Sequence, residues 1–216
     1  TLTTRLLAGA DDGQSRTRDL AGITTREHDY RQAGVVANLA CERDHGATAR
    51  QRFLPDGPLA LLPLPGRRVS IVWSTTPDHA QALCQCDEAE FARAVTDASE
   101  GVLGQLCLDS PRASFPLRAL HAREYTRPRL ALLGDAAHVV HPLAGQGVNL
   151  GFLDAAALAG VVRDAHTAGE DIGDHYVLRR YERARKGENL ATIAALDGLK
   201  RLFGARHPLA HLVRQT

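Results

Sequence analysis

An apolar run, Leu130-Ala131-Leu132-Leu133, stops at Gly134-Asp135, and beyond His141-Pro142 three glycines open an Ala-rich helical segment. That order constrains the fold more than any other feature, because it demands a strand, a turn and a helix returning along the strand. The run reads as a buried strand. Gly134 lets the backbone turn, and Asp135 stands at the strand's carboxyl end, where open α/β sheets bind ligands. A carboxylate there is placed to accept hydrogen bonds from sugar-type hydroxyls, or else to cap the turn over 136–140. His141 precedes a proline and is pushed to extended backbone. Gly145, Gly147 and Gly151 then punctuate the helix entry. Glycines ahead of a helix admit a flat ligand close to the backbone, and the first amides, those of Gly147, Val148 and Asn149, carry partial positive charge suited to an anionic edge. The same residues also make a plain glycine-rich helix start. Gly151 and the alanines at 155–157 keep the helix thin enough to pack on a sheet.

Gly145-Gln146-Gly147 with Gly151 imitates a dinucleotide fingerprint, but the genuine fingerprint follows its strand directly. Here an irregular stretch holding His141-Pro142 intervenes, so no pyrophosphate loop is expected at this point. A G-x-S-x-G elbow and a P-loop are both absent, which excludes the hydrolase and kinase readings. Cys84-Gln85-Cys86 lacks a second ligand pair at zinc spacing, and the proline after His141 takes that histidine off any face shared with His138, so no metal is expected. Lys+Arg 26 against Asp+Glu 25 leaves a net charge of +1 and no field to recruit nucleic acid. Cysteines at 41, 84, 86 and 107 form no disulfide framework, which points to a reducing, cytoplasmic setting. No apolar run reaches membrane-spanning length, and the first residues lack the pattern of a signal peptide. The chain contains no methionine and opens as a strand entered midway, so it reads as a piece of something longer.

Elsewhere the texture divides. Residues 5–18 read as a strand and then a loop dense in Asp and Gly. The runs 33–43, 48–55, 59–65 and 67–73 alternate with period two, separated by turn signals at His45-Gly46, Pro55-Asp56-Gly57-Pro58 and Pro65-Gly66, which predicts an antiparallel meander. Residues 78–106 have helical character, with Ala82, Leu83, Phe91, Val95, Val102 and Leu106 as apolar anchors. Residues 112–123 look extended again, as an extra strand for the meander. Residues 174–203 form a long polar helix or a helix pair, and 205–216 add a last helical turn or two. The fold class is α+β: a fragment of an α/β layer, an antiparallel sheet, and C-terminal helices.

Gly134-Asp135-Ala136-Ala137-His138, His141-Pro142, Gly145-Gln146-Gly147-Val148-Asn149-Leu150-Gly151 and Asp154-Ala155 together resemble the second flavin motif of class A FAD-dependent aromatic hydroxylases. Gln51-Arg52-Phe53-Leu54-Pro55-Asp56-Gly57-Pro58, Leu61 through Pro65 and the segment from Glu188 to Phe203 resemble the ubiquinone-biosynthesis branch of that superfamily. The resemblance implies a division into a remnant of the FAD-binding domain (1–24), a β-rich substrate domain (25–124), an FAD-binding segment (125–172) and C-terminal helices (173–216). It implies that Asp135 holds the ribityl chain of FAD, that Pro142 lies by the ring, and that the amides of 147–149, entered through Gly145 and Gln146, face its pyrimidine edge. Gly134 is the hinge of that motif. Gly9-Ala10-Asp11 resembles the family's early motif, which serves both the FAD pyrophosphate and NAD(P)H. Asp12 stands where the family has glycine, and Ser15 and Arg18 fit.

The activity implied is an FAD- and NAD(P)H-dependent monooxygenase that hydroxylates an aromatic, prenylated phenol in ubiquinone biosynthesis. No residue stands out as a catalytic base. The family's opening strand–GxGxxG–helix unit is missing from this sequence, so the chain alone is expected to bind FAD weakly or not at all and to be inactive. Rival readings are a flavin-dependent prenyl-chain reductase and a non-enzymatic interaction module. Arg112, Arg118, Arg123, Arg127 and Arg129 either greet NAD(P)H phosphates or form a solvated strand face. The tail from Gly198, with Lys200, Arg201, Arg206 and Arg214, either touches a membrane surface or a partner protein, or packs back on the core.

Overall fold

Alternation along the chain decides where each strand buries its side chains. In this computed structural model, which describes residues 3–142 and 145–204, the chain forms two compact units, one of Thr1–His28 with Arg118–Arg201 and one of Asp29–Leu117.

The second unit is a twisted antiparallel sheet with helices on one face. Strand β2 (Thr25–Cys41) pairs with β5 (Arg68–Thr75), β5 with β4 (Gly57–Leu64), and β4 with β3 (Arg50–Leu54). The expected meander therefore holds for β3, β4 and β5, while β2 sits beside β5 rather than beside its chain neighbour. The odd-numbered residues of β2 and β5 explain this. Val35, Leu39, Ile71 and Trp73 share one buried face with Leu59 and Leu61, and only this register puts them all there. Helices α2 (Pro77–Gln85) and α3 (Glu88–Ala98) cover that face with Leu83, Phe91 and Val95. Thr76 and Asp87 cap them through the His79 and Glu90 amides.

Three details depart from expectation. Ala82 points to solvent and Val102 is 42% exposed, so neither is an anchor. Leu106 is buried, but in a short strand, β6 (Leu106–Leu108), paired to the end of β2 rather than in a helix. The next strand, β7 (Ala113–Ala122), supplies the extra strand anticipated for 112–123. On the face away from the helices, Phe53, Leu62 and Phe115 are each 41% exposed.

The first unit holds a three-stranded sheet. β1 (Leu7–Gly9) runs parallel to β9 (Leu130–Leu132), and β8 (Thr126–Arg127) pairs antiparallel on the far side of β9. The loop expected to run through residue 18 gives way at Arg16 to a short helix α1 (Arg16–Leu20), because the Ser15 hydroxyl caps it through the Arg18 amide. After β9 come a 3-10 turn (Gly134–Ala136) and β10 (His138–Val139), which pairs with the end of β7. Helix α4 (Gly147–Thr167) and the single helix α5 (His175–Gly204) pack Leu158, Leu178 and Tyr181 into a core with Tyr125, Leu130 and Leu132. The helical turn expected over 205–216, and the basic side chains of that tail, lie outside the described residues.

Candidate functional site

The turn at Gly134 is built from both sides. Gly134 has φ +58°, a left-handed conformation that glycine takes without strain, and its Cα lies so close to Gly151 that a Cβ on Gly151 would sit 3.4 Å away. The end of β9 and the first turns of α4 are thereby in direct contact. No acidic residue lies in the first turn of α4, and Gln146 precedes it with no side-chain cap. The amides of Gly147, Val148 and Asn149 have no intrahelical acceptor, which leaves a positive helix start. Gly145 turns into it at φ +60°. Pro142 is half-buried just before the undescribed residues 143 and 144.

Asp135 is exposed, and its carboxylate makes no hydrogen bond among the described residues, so it does not cap the turn over 136–140. Partial burial and the Asp12 charge push its carboxyl above the usual range, against a smaller downward pull from His138. Asp11 differs. Burial alone would raise it, but the Ser15 hydroxyl (2.6 Å) and the Thr17 amide (2.9 Å) bring it down to about 2, so its oxygens hold their own turn together. Arg18, buried beside it, donates from Nη1 to the Ala136 carbonyl and from Nη2 to the Gly13 carbonyl. One guanidinium thus ties the Asp11 turn to the Asp135 turn.

Behind the Gly134 turn lies a buried network that the sequence did not announce. Asp154 of α4 is fully buried. Its Oδ2 accepts from the Gly134 amide at 3.1 Å and pairs with His138 Nε2 at 2.5 Å. Its Oδ1 accepts from Arg185 Nε at 2.9 Å and Asn189 Nδ2 at 3.1 Å. Burial would raise this carboxyl, but the bonds from His138 and Arg185 outweigh it and hold it below the usual range. Asn189 also reaches the Tyr125 hydroxyl, which meets His121 Nε2 at 3.0 Å. Asp154 was visible as part of the motif. Arg185 and Asn189 come from α5, and their four-residue spacing on a polar helix gave no sign of a partner so far back in sequence.

His121 at the end of this chain is held down to about 4 by burial, with Lys186 and His138 adding to it. The folded protein therefore keeps it neutral where the unfolded chain would protonate it. Stability is expected to be complete above about pH 6.5 and to fall as pH drops toward 4. Denaturant midpoints measured across that window check this, and His121→Gln should flatten the slope; an unchanged slope assigns the loss elsewhere.

Of the five arginines around one strand, four are committed. Arg112 donates to the Leu83 and Cys86 carbonyls, and Arg118, Arg127 and Arg129 pair with Glu27, Glu124 and Asp171.

A Gly-Asp turn after a sheet strand, in direct contact with a helix that opens on glycine, stands at the strand end where α/β layers accept ligands. The chain belongs to the FAD binding domain family, whose model matches residues 1–191. It is 43% identical over 247 residues to "Ubiquinone biosynthesis monooxygenase COQ6, mitochondrial" of Xenopus tropicalis, covering 99% of this chain and 53% of that protein. It is 40% identical over 203 residues to "Ubiquinone hydroxylase UbiL" of Rhodospirillum rubrum, covering 94% of this chain and 47% of that protein. Among solved structures, PqsL of Pseudomonas aeruginosa, a probable FAD-dependent monooxygenase, matches with a TM-score of 0.79 at 26% identity, over 94% of this chain and 57% of that chain. The chain spans about half the length of the curated relatives it matches.

Proposed function

We propose that this chain supplies part of an FAD-dependent monooxygenase that hydroxylates the aromatic ring of a prenylated phenol in ubiquinone biosynthesis, with NAD(P)H as reductant. The observation that carries the reading is the exposed carboxylate of Asp135, which makes no hydrogen bond among the described residues and sits on the turn that touches the start of α4. The chemistry that FAD supplies when bound is insertion of oxygen into an electron-rich ring. The residues present fit its sugar-alcohol and pyrimidine ends. Asp135 would accept from the ribityl hydroxyls, Pro142 would border the ring, Gly145 and Gln146 would shape the approach, and the Gly147, Val148 and Asn149 amides would stabilise the anionic edge by about 1 kcal/mol or somewhat more. Asp11 acts through its turn, since Ser15 and Thr17 take its oxygens.

For the substrate, the sheet face bearing Phe53, Leu62 and Phe115 offers apolar surface suited to an aromatic ring and a prenyl tail. We assign residues 25–124 to this task and 1–24 and 125–172 to the flavin, with 173–216 as a separate C-terminal segment. Among the described residues no helix is long and apolar enough to cross a membrane, and contact with a membrane surface is left to the basic tail.

Asp135→Ala in the full-length enzyme is expected to lower flavin retention after gel filtration by roughly tenfold, the loss of one or two charge-assisted hydrogen bonds. Unchanged flavin content removes Asp135 from the site. Substrate-dependent oxygen consumption separates the hydroxylase from a prenyl-chain reductase, which needs none.

A further inference from the structure

Arg31 breaks the pattern of its own strand. Successive residues of β2 turn to opposite faces, but Arg31 has φ +52°, a left-handed conformation in which a bulky side chain is an outlier. Asp29 holds the kink, because its Oδ1 accepts from the Arg31 amide at 2.8 Å. Arg31, Gln32 and Ala33 thereby all line one cavity of about 450 Å³, bounded by α2 and by the start of β7 within the second unit. That volume is typical of a small-molecule pocket. Strained backbone of this kind persists where it shapes a site.

The lining defines a ligand. Pro77, Phe115 and Pro116 offer flat apolar surface. Among the described residues the charges of the lining are Asp29 and Arg31, of opposite sign, so the cavity selects for neither a cation nor an anion. Its remaining hydrogen-bonding groups are neutral: Gln32, Gln81, Gln85 and Ser114. Gln32 is fixed at one end only. Its Nε2 donates to the Asp56 carbonyl at 2.8 Å, while its buried Oε1 accepts no hydrogen bond among the described residues. A buried acceptor without a donor is destabilising, and a ligand hydroxyl relieves it. We propose that this cavity is a binding site for a neutral phenol, whose ring lies against Phe115 and the two prolines and whose hydroxyl donates to Gln32 Oε1. The class agrees with the substrate proposed above. The physiological identity of the phenol rests on that reading; the preference of the cavity does not.

Cys84, half-buried in the same wall, reports occupancy, and the exposed Cys107 lies outside the lining as a control. The chain is alkylated with N-ethylmaleimide in the absence of flavin, and peptide mass spectrometry reads the rate at each cysteine. Ortho-allylphenol is expected to slow Cys84 saturably and to leave Cys107 unchanged. Allylbenzene lacks the hydroxyl and should act with a dissociation constant about fivefold higher, the effect of one neutral hydrogen bond. Gln32→Met keeps the shape and removes the acceptor, so the gap should close. Gln81→Trp, on the exposed side of α2, should fill the cavity and abolish protection by both compounds. Cys84 also lines a neighbouring cavity with Arg112, which Gln81 does not reach, so this variant tells the two apart. Should Gln32→Met fail to fold, the wild-type gap and Gln81→Trp decide alone. Equal slowing of Cys84 and Cys107, no saturable slowing, or equal constants for the two compounds each overturns the proposal. So does a gap that survives in folded Gln32→Met, or protection that survives Gln81→Trp. Failure of the flavin reading would leave these rates as they are, since no flavin is present.

Discussion

Asp154→Ala is expected to destabilise the protein by about 3–5 kcal/mol, the range found when one partner of a buried ion pair is removed. Four donors lose their acceptor at once: the Gly134 amide, His138 Nε2, Arg185 Nε and Asn189 Nδ2. Arg185, itself 5% exposed, keeps Asn189 and Glu188 but loses the carboxylate that balances its charge in the interior. A Gly134 amide without its acceptor also loosens the turn that carries Asp135, so flavin retention in the full-length enzyme should fall with stability. Urea unfolding of the chain measures the first effect, and a loss below about 1 kcal/mol would show that water replaces the carboxylate at little penalty. The charge contribution is isolated by the double variant Asp154→Leu with Arg185→Leu. Removing both ions together should recover a large part of the loss, because a paired apolar replacement leaves no buried charge uncompensated. The acid limb carries the same information. The Asp154 carboxyl is held below its ordinary value, so its contribution is present above about pH 4 and is lost as pH falls through the depressed folded value.

The contrast between Asp135 and Asp154 explains how much of this protein could be read from its sequence. The motif around Asp135 was legible because its physics is local: a strand end, a left-handed glycine and a helix start all lie within one stretch, and the structure brings Gly134 and Gly151 into contact. The strands were legible for the same reason, since period-two alternation in 33–41 and 67–73 marks a face whatever it packs against. Strand order was not. Whether β2 lies beside β3 or β5 depends on which faces match across the sheet, and alternation alone cannot say which partner supplies the match. Val102 failed as an anchor because helical periodicity was continued past the end of α3, where Gly101 and Gly104 turn the chain at positive φ. The Asp154 network was illegible for a further reason. Its members come from α4, α5, β7, β10 and the Gly134 turn among others, and a charged residue on a helix reads as solvated until tertiary structure buries it.

Gly57→Ala should cost about 4 kcal/mol, and it reports on the sheet of the second unit as Asp154 reports on the core of the first. Pro55-Asp56-Gly57-Pro58 read as a turn, and the structure makes Gly57 the first residue of β4, paired with Leu54 across the hairpin. Its φ of +143° is one that L side chains rarely adopt, and a Cβ would stand 2.3 Å from the Ser74 carbonyl oxygen and 2.9 Å from Gln32 Nε2. The conformational strain contributes roughly 1–3 kcal/mol. The contact with Ser74 adds to it, because that oxygen belongs to β5 and moves only if the strand moves. Gln32, by contrast, can swing its amide away, at the loss of its bond to the Asp56 carbonyl. The clash therefore falls on the pairing of β4 with β5 that places Leu59 and Leu61 against the helices. Unfolding followed by Trp73 fluorescence is the direct measurement, since Trp73 lies on β5 opposite Leu59. A Gly57→Ala protein with an unshifted midpoint would mean that the hairpin re-forms with a different backbone at 57, and the assignment of that turn would fall with it.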